Sequence, residues 1–527
     1  MKSRIAMCLV LLAGCASVQK PDVPEQGQAR VPGGLVQGEV KDGVLSFKGI
    51  PFAAPPVGDL RWRAPQPVAA WSGVRQATAF GHDCAQLPFE GDAAPLGTPP
   101  AEDCLTLNVW RAADAPADGK LPVMVWIYGG GYVNGGSSPP VYDGARLARQ
   151  GVVLVSFNYR LGRLGFFAHP ALTAEAAGAP TGNFGFMDQL AALEWVRDNI
   201  SAFGGDPGNV TVFGESAGGA SVHTLLTSPR AAGLLHKAII MSGGGRGVLL
   251  GSRRLSEATP QGVPSAESVG VDFARSVGLS QSGAQALAAL RALPVEKLVD
   301  FNLAGLGAPH YTGPILDGQL LVEPPEVAYR AGHWARVPVM VGATSADIGF
   351  GSAPSKDALF AAYADPAAAR AVYDPSGTAE LSTLIAVTGM DQLMIEPARH
   401  TARAVAAQGL PAYHYRFSYV ADSQREAWKT GAPHATEIPY VFDTVEAKYG
   451  PAATERDRQV GRAASAYFTA FARTGQPNPP GLVEWPRYEA ATDLLLDFAP
   501  GGEPLAQPDP WKARLDVTEA AANKTSR

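Results

Sequence analysis

One stretch limits what this chain can fold into more than any other: Asn209-Val210-Thr211-Val212-Phe213-Gly214-Glu215-Ser216-Ala217-Gly218-Gly219. Val210, Val212 and Phe213 form a short β-prone run, Gly214 to Gly219 is built largely of small residues, and an apolar segment of helical character continues to Leu226. The order is strand, sharp turn, helix, with Gly-x-Ser-x-Gly on the turn. A serine forced into a strained backbone conformation is crowded on both sides, so Gly214, Gly218 and Gly219 suit the geometry. In a chain with 59 glycines among 527 residues the bare pattern is common, so its context decides. A helix expected over 186–203 ends in the breaker Gly204-Gly205-Asp206-Pro207 just before the strand, which favours a nucleophile-bearing elbow over a plain tight turn.

At this length the chain exceeds the size at which one core usually stops growing, so either two domains or one large sheet with insertions is expected. Apolar content of 46% and charge of 17% describe an ordinary globular protein. The net charge is −6 and no basic run exceeds two residues, which argues against nucleic acid as a partner.

The N-terminus reads as an export signal rather than as fold. Lys2 and Arg4 precede an apolar run over 5–12, too short to span a bilayer, and Leu12-Ala13-Gly14-Cys15 follows. Those four residues resemble a bacterial lipobox, which makes 1–14 a signal peptide and Cys15 the lipidated first residue; the alternative is an ordinary signal cleaved nearby. Removing 1–14 takes away Lys2 and Arg4, so the charge becomes −6 − 2 = −8. The expected location is the periplasmic face of a bacterial membrane, reached through the lipid alone, or else the periplasm or the medium. Residues 15–30 read as a polar tether, 31–515 as the folded body and 516–527 as a C-terminal tail.

Of four cysteines, Cys8 leaves with the signal and Cys15 carries lipid, so Cys84 and Cys104 remain. One even pair in an exported chain reads as a disulfide, the alternative being two unrelated buried thiols. No Cys or His pair sits at ligand spacing, so no metal is expected.

Along the chain, 35–40 and 44–50 read as a hairpin around Asp42-Gly43, and the five prolines of 51–67 as an irregular arm. Strands are expected at 103–110, 121–128, 152–159, 237–241, 337–343 and 412–419, with a last edge strand at 494–498. The near-continuous apolar runs at 121–128 and 152–159 are of the kind buried on both faces of a parallel sheet, and their alternation with helices makes the class α/β. The segments 249–301 and 352–408 read as helical insertions, and 463–471 as a covering helix.

A serine hydroxyl needs an imidazole to take its proton and a carboxylate to orient that imidazole. On an elbow of this kind the chain order is serine, acid, histidine, so the partners lie after 216. His223 is two turns down the same helix, His400 lies in a helical segment and His414 in mid-strand; His434 sits in a loop after a strand and is the choice. Asp347, just past the strand at 337–343, leads over the turn carboxylate Asp317 and over Glu437, which is close in sequence to His434. Oxyanion donors are expected from the backbone of Ala217 and of the Gly129-Gly130-Gly131 loop.

Phe47-Lys48-Gly49-Ile50-Pro51-Phe52-Ala53, Glu102-Asp103-Cys104-Leu105-Thr106-Leu107-Asn108-Val109-Trp110, and Gly182-Asn183-Phe184-Gly185 through Gly219 resemble, in this order, the type-B carboxylesterase family, which includes the cholinesterases. The resemblance runs from about Val36 to Tyr488. It implies an α/β-hydrolase fold, a large mostly parallel sheet flanked by helices with helical insertions forming a substrate gorge. It assigns Ser216 as nucleophile, Asp347 as acid and His434 as base, gives Gly130, Gly131 and Ala217 as oxyanion donors, and joins Cys84 to Cys104. Ala346-Asp347-Ile348 stands where the family usually has Asp-Glu-Gly, so the acid is one methylene short. The implied activity is cleavage of small carboxylic esters through an acyl-enzyme without a cofactor, with amide or carbamate hydrolysis, or a non-catalytic binding module, as the alternatives. Substrate pockets are expected from the insertions at 249–330 and 350–410.

Overall fold

The structure is a computed structural model that describes residues 27–88, 91–116, 118–246, 253–305 and 309–525. The expected signal peptide with Cys8, the expected lipidation site Cys15 and most of the expected tether lie outside the described residues.

Among the described residues one eleven-stranded sheet organises the fold. In chain order its strands are β1 Glu39–Lys41, β2 Val44–Pro51, β3 Thr106–Ala112, β4 Leu121–Ile127, β5 Val153–Phe157, β6 Gly205–Glu215, β7 Lys237–Met241, β8 Val339–Thr344, β9 Ala412–Phe417, β10 Leu494–Phe498 and β11 Pro504–Pro508. Their spatial order is β1-β2-β3-β5-β4-β6-β7-β8-β9-β10-β11. From β5 across to β10 the neighbours run parallel, and antiparallel pairs close both ends. This is the α/β-hydrolase arrangement expected from the sequence.

Strands β4 and β5 are almost wholly apolar because helices cover both faces. Val123, Met124, Val125, Trp126 and Ile127 of β4 are all fully buried, and burial of each such side chain stabilises the fold by about 1.5–3 kcal/mol. The helices that matter for the site are α1 Phe184–Asn199, α2 Ala217–Thr227, α3 Leu381–Met390, α4 Glu396–Ala407, α5 Glu455–Thr474 and α6 Lys512–Thr525. Packing of α5 on β4 and β6, and of α4 on β8 and β9, closes the core. Cys84 and Cys104 form a disulfide, worth about 3 kcal/mol in the chain-entropy model for a loop of this length.

Several expectations change. Residues 28–30 are not tether: Gln28–Val31 pairs antiparallel with Gly34–Gln37, burying Ala29 and Val31, in a small separate sheet. The expected hairpin is real around Asp42-Gly43 but its first arm is Glu39–Lys41, because Leu35 to Gln37 belong to that small sheet. The covering helix starts at Glu455, where Thr454 and Asp457 close a capping box, eight residues before the expected 463. Strand β10 is interior, since Pro504–Pro508 pairs outside it. No free tail begins at 516, for α6 runs across that point with Leu515 and Thr518 buried.

Candidate active site

Ser216 stands directly between β6 and α2 with φ 57° and ψ −123°, a backbone state that L-residues rarely adopt. Its N–H donates to the Met241 carbonyl on β7 at 2.9 Å, and its own carbonyl accepts the first helical bond from Ala220 at 2.8 Å. The turn is too tight for side chains. A Cβ on Gly218 would fall 2.0 Å from the Ile127 carbonyl oxygen, so only glycine lets α2 start against the end of β4.

The expected acid and base arrive from the ends of neighbouring strands. Asp347 lies three residues past β8, and His434 sits on the long return after β9. Their loops are fastened to each other: the Ala346 N–H donates to the Ala432 carbonyl at 2.9 Å and the Ala432 N–H to Ser345 Oγ at 3.0 Å. His434 Nδ1 is 2.6 Å from Asp347 Oδ1. A carboxylate only accepts, so Nδ1 carries the proton and Nε2 is left to accept another. The shorter acid therefore reaches. Its other oxygen, Oδ2, accepts from Ser242 Oγ at 2.6 Å, Thr344 Oγ1 at 2.9 Å and the Thr344 N–H at 3.1 Å.

Carboxylates crowd the imidazole. His434 Nε2 lies 3.2 Å from Glu215 Oε1, and Glu437 is buried three residues along the chain. Burial acts to push the Asp347 carboxyl up, but His434 and the bonds from Ser242 and Ile348 hold it below its ordinary value. For His434, burial opposes the charged form, yet Glu215 and Asp347 together outweigh it and raise the pKa. Glu215 and Glu437 are both pushed up, chiefly by burial.

If His434 is the expected base it must be neutral at Nε2, so activity should appear as pH rises through its raised pKa. Glu215→Gln removes one of the charges that raises it. The acid limb of the kcat/KM profile is then expected to move to lower pH. A limb that stays put or moves up in the variant would show that Glu215 does not govern the imidazole.

Ser216, His434 and Glu215 share one cavity of about 790 Å³ with Gly129, Gly130, Gly131 and Ala217. Gly130 and Gly131 have φ of 100° and 62°, and a Cβ on Gly130 would meet the Asn134 carbonyl oxygen at 2.2 Å. The rest of the wall is mainly apolar or aromatic, including Tyr132, Tyr142, Tyr311, Ile348, Phe350, Met394 and Ile438. Phe350 is 66% exposed on this wall. The insertions at 249–330 and 350–410 contribute as expected, but so do Gly91 to Ala94, inside the disulfide-closed segment, and Lys448.

The competing residues have other roles. Asp317 accepts three backbone N–H groups from Gln319, Leu320 and Leu321, as a turn carboxylate does. His223 Nδ1 is 2.7 Å from the Tyr329 hydroxyl, and burial pushes its imidazole down to about 3. His414 is buried within β9 and His400 lies on α4. Glu396, His400 and Glu519 come close enough to hold an ion, which spacing along the chain could not show, but Arg246 already bonds Glu396, and Arg399 and Arg403 bond Glu519. Sequence reasoning missed Ser242, Thr344 and Glu215. Glu215 was visible as the variable residue of the Gly-x-Ser-x-Gly motif, whereas nothing local marks Ser242.

Sheet order, elbow and converging loops define an α/β-hydrolase. The sequence profile of the carboxylesterase family matches residues 25–365 and 356–509, and the chain belongs to that family. It is 37% identical over 485 residues to the fumonisin B1 esterase of Sphingopyxis macrogoltabida, spanning 88% of this chain and 84% of that one. It is 36% identical over 489 residues to the para-nitrobenzyl esterase of Bacillus subtilis (strain 168), spanning 88% and 93%. A solved PNB esterase superposes with a TM-score of 0.78 at 33% identity, covering 94% of this chain and 99% of its own. Carboxylesterase EST55 of Geobacillus stearothermophilus superposes with 0.76 at 33%, covering 93% and 99%. The protein is accordingly a carboxylic ester hydrolase acting on a small-molecule ester.

Proposed function

We propose that the protein hydrolyses uncharged carboxylic esters through an acyl-enzyme on Ser216, with His434 as base and Asp347 as its orienting acid. The observation that carries this is the 2.6 Å contact of His434 Nδ1 with Asp347, with His434 and Ser216 on the wall of one cavity. His434 Nε2 takes the hydroxyl proton as Ser216 Oγ attacks the ester carbonyl, and returns it to the departing alcohol. The backbone N–H groups of Gly130, Gly131 and Ala217 meet the oxyanion; glycine at 130 and 131 lets the chain approach the substrate oxygen without a Cβ between. Water, activated by the same imidazole, then releases the acid. Apolar and aromatic side chains over most of the wall favour neutral acyl and alcohol groups over charged ones.

The test is a panel of esters, with amides and carbamates of the same acyl groups, given to the purified protein. Acid and alcohol are expected in equal amounts from neutral esters, with the amides and carbamates far slower. Turnover of amides at the ester rate, or a preference for anionic esters, would contradict the reading.

A further inference from the structure

One wall of the cavity is supported by an element distant from it in sequence. Ile348 and Phe350, on the loop that follows Asp347, line the cavity together with Met394. All three rest on one junction. Met394 lies in a π-helical turn, Asp391–Ile395, inserted between α3 and α4. The loop of Ile348 and Phe350 lies directly on the end of α3: a Cβ on Gly349 would fall 2.1 Å from the Met390 nitrogen, and one on Gly389 2.9 Å from the Phe350 carbonyl oxygen. A π turn departs from the regular helical ladder and is frequent at functional sites.

The C-terminal helix α6 holds this junction from behind. The buried Asp391 carboxylate accepts from Arg514 Nη2 at 2.8 Å and from the Tyr373 hydroxyl at 2.7 Å. Arg514 also stacks at 3.8 Å on Trp511, whose ring carries the Arg416 guanidinium at 3.7 Å, and Arg416 is gripped by Asp509 through two bonds of 2.9 Å. Leu515, fully buried, shares an apolar cluster with Met390, Met394 and Ile395, with Ile348 packed against it. Among the described residues none of α6 lines the cavity itself. The bonds that Asp347 receives from Ser242 and Thr344 are separate from this ion pair.

We propose that α6, through the Arg514–Asp391 pair, is a positioning element that fixes the apolar wall of Ile348, Phe350 and Met394 and so limits the bulk of ester the cavity accepts. The proposal rests on the reading of this cavity as the ester site. Loosening the pair lets the π turn and Met394 give way, which favours bulky substrates over small ones.

The experiment uses the full chain with Arg514→Met, the milder Arg514→Lys, and Met394→Ala, and measures kcat and KM for p-nitrophenyl esters of a short and a bulky acyl group. For Arg514→Met the bulky-to-short ratio of kcat/KM is expected to rise about tenfold or more, the scale on which apolar pockets discriminate. kcat for the short ester should stay close to the wild-type value. Arg514→Lys should fall between it and wild type, and Met394→Ala should move the ratio the same way. A merely structural helix would lower both esters by one factor and leave the ratio alone, which overturns the proposal. Should Arg514→Met give no cooperative unfolding transition, the ratio for Arg514→Lys decides in the same way. Amide hydrogen exchange across 391–395 is read in parallel and needs no substrate: it should quicken in the Arg514 variants, and unchanged exchange overturns the proposal even if the protein hydrolyses no ester. A wild-type chain inert to both esters would instead refute the esterase reading.

Discussion

Replacing Ser216 by alanine is expected to lower kcat roughly 10⁶-fold while leaving the fold and substrate affinity in place, since knocking out the nucleophile of such a unit disables it as a whole. The residual rate belongs to the oxyanion donors and to binding. The variant should unfold at the wild-type denaturant midpoint, because alanine keeps the Cβ and the same strained conformation at φ 57°. Ser216→Gly separates chemistry from strain. It should be equally inactive, yet more stable by about 1 kcal/mol, because glycine adopts this backbone region freely. An alanine variant retaining more than a few per cent of wild-type turnover would remove Ser216 from the mechanism.

Asp347→Asn is expected to cost about 10⁴-fold in kcat with little change in KM, the loss that follows when an imidazole is held in the wrong tautomer. The local bonding dictates the direction. Oδ1 of Asp347 accepts one N–H, from Ile348, whereas Oδ2 is met by three donors, the Ser242 and Thr344 hydroxyls and the Thr344 N–H, so the asparagine carbonyl oxygen takes the Oδ2 position. Its NH₂ then faces His434 Nδ1, which must accept, leaving the proton on Nε2 where it cannot receive another from serine. A loss below tenfold, with folding confirmed by the unfolding midpoint, would mean that Asp347 does not set the tautomer.

The elbow was legible because a strained serine demands small residues at fixed offsets, and that demand is written locally in Gly214 to Gly219. Strands β4 and β5 were legible because burial on both faces leaves a continuous apolar run. His434 and Asp347 could be found because each follows a strand end, but the bond between them could not. It depends on β8 and β9 being neighbours and on the backbone bond that fastens Ala346 to Ala432. Ser242 shows the limit most clearly. It bonds the Asp347 carboxylate from the end of β7, 105 residues before it, and no pattern in its own surroundings marks it. Strand β11 and helix α6 were missed for a different reason. Pro504–Pro508 begins and ends in proline and reads as loop, and α6 is docked largely by ion pairs, with fully buried Leu515 and partly buried Val517 and Ala521 as its apolar contacts.

The central claim is that side chains at 216, 347 and 434 form one nucleophilic unit. Its most direct measurement is reaction with an organophosphonate probe, the site read by peptide mass spectrometry, in wild type and in His434→Ala. One equivalent of label is expected on Ser216 in wild type, and a labelling rate lower by about 10²-fold or more in the variant, the scale of general-base assistance. Label on another residue, or on Ser216 at the same rate without the imidazole, would contradict it.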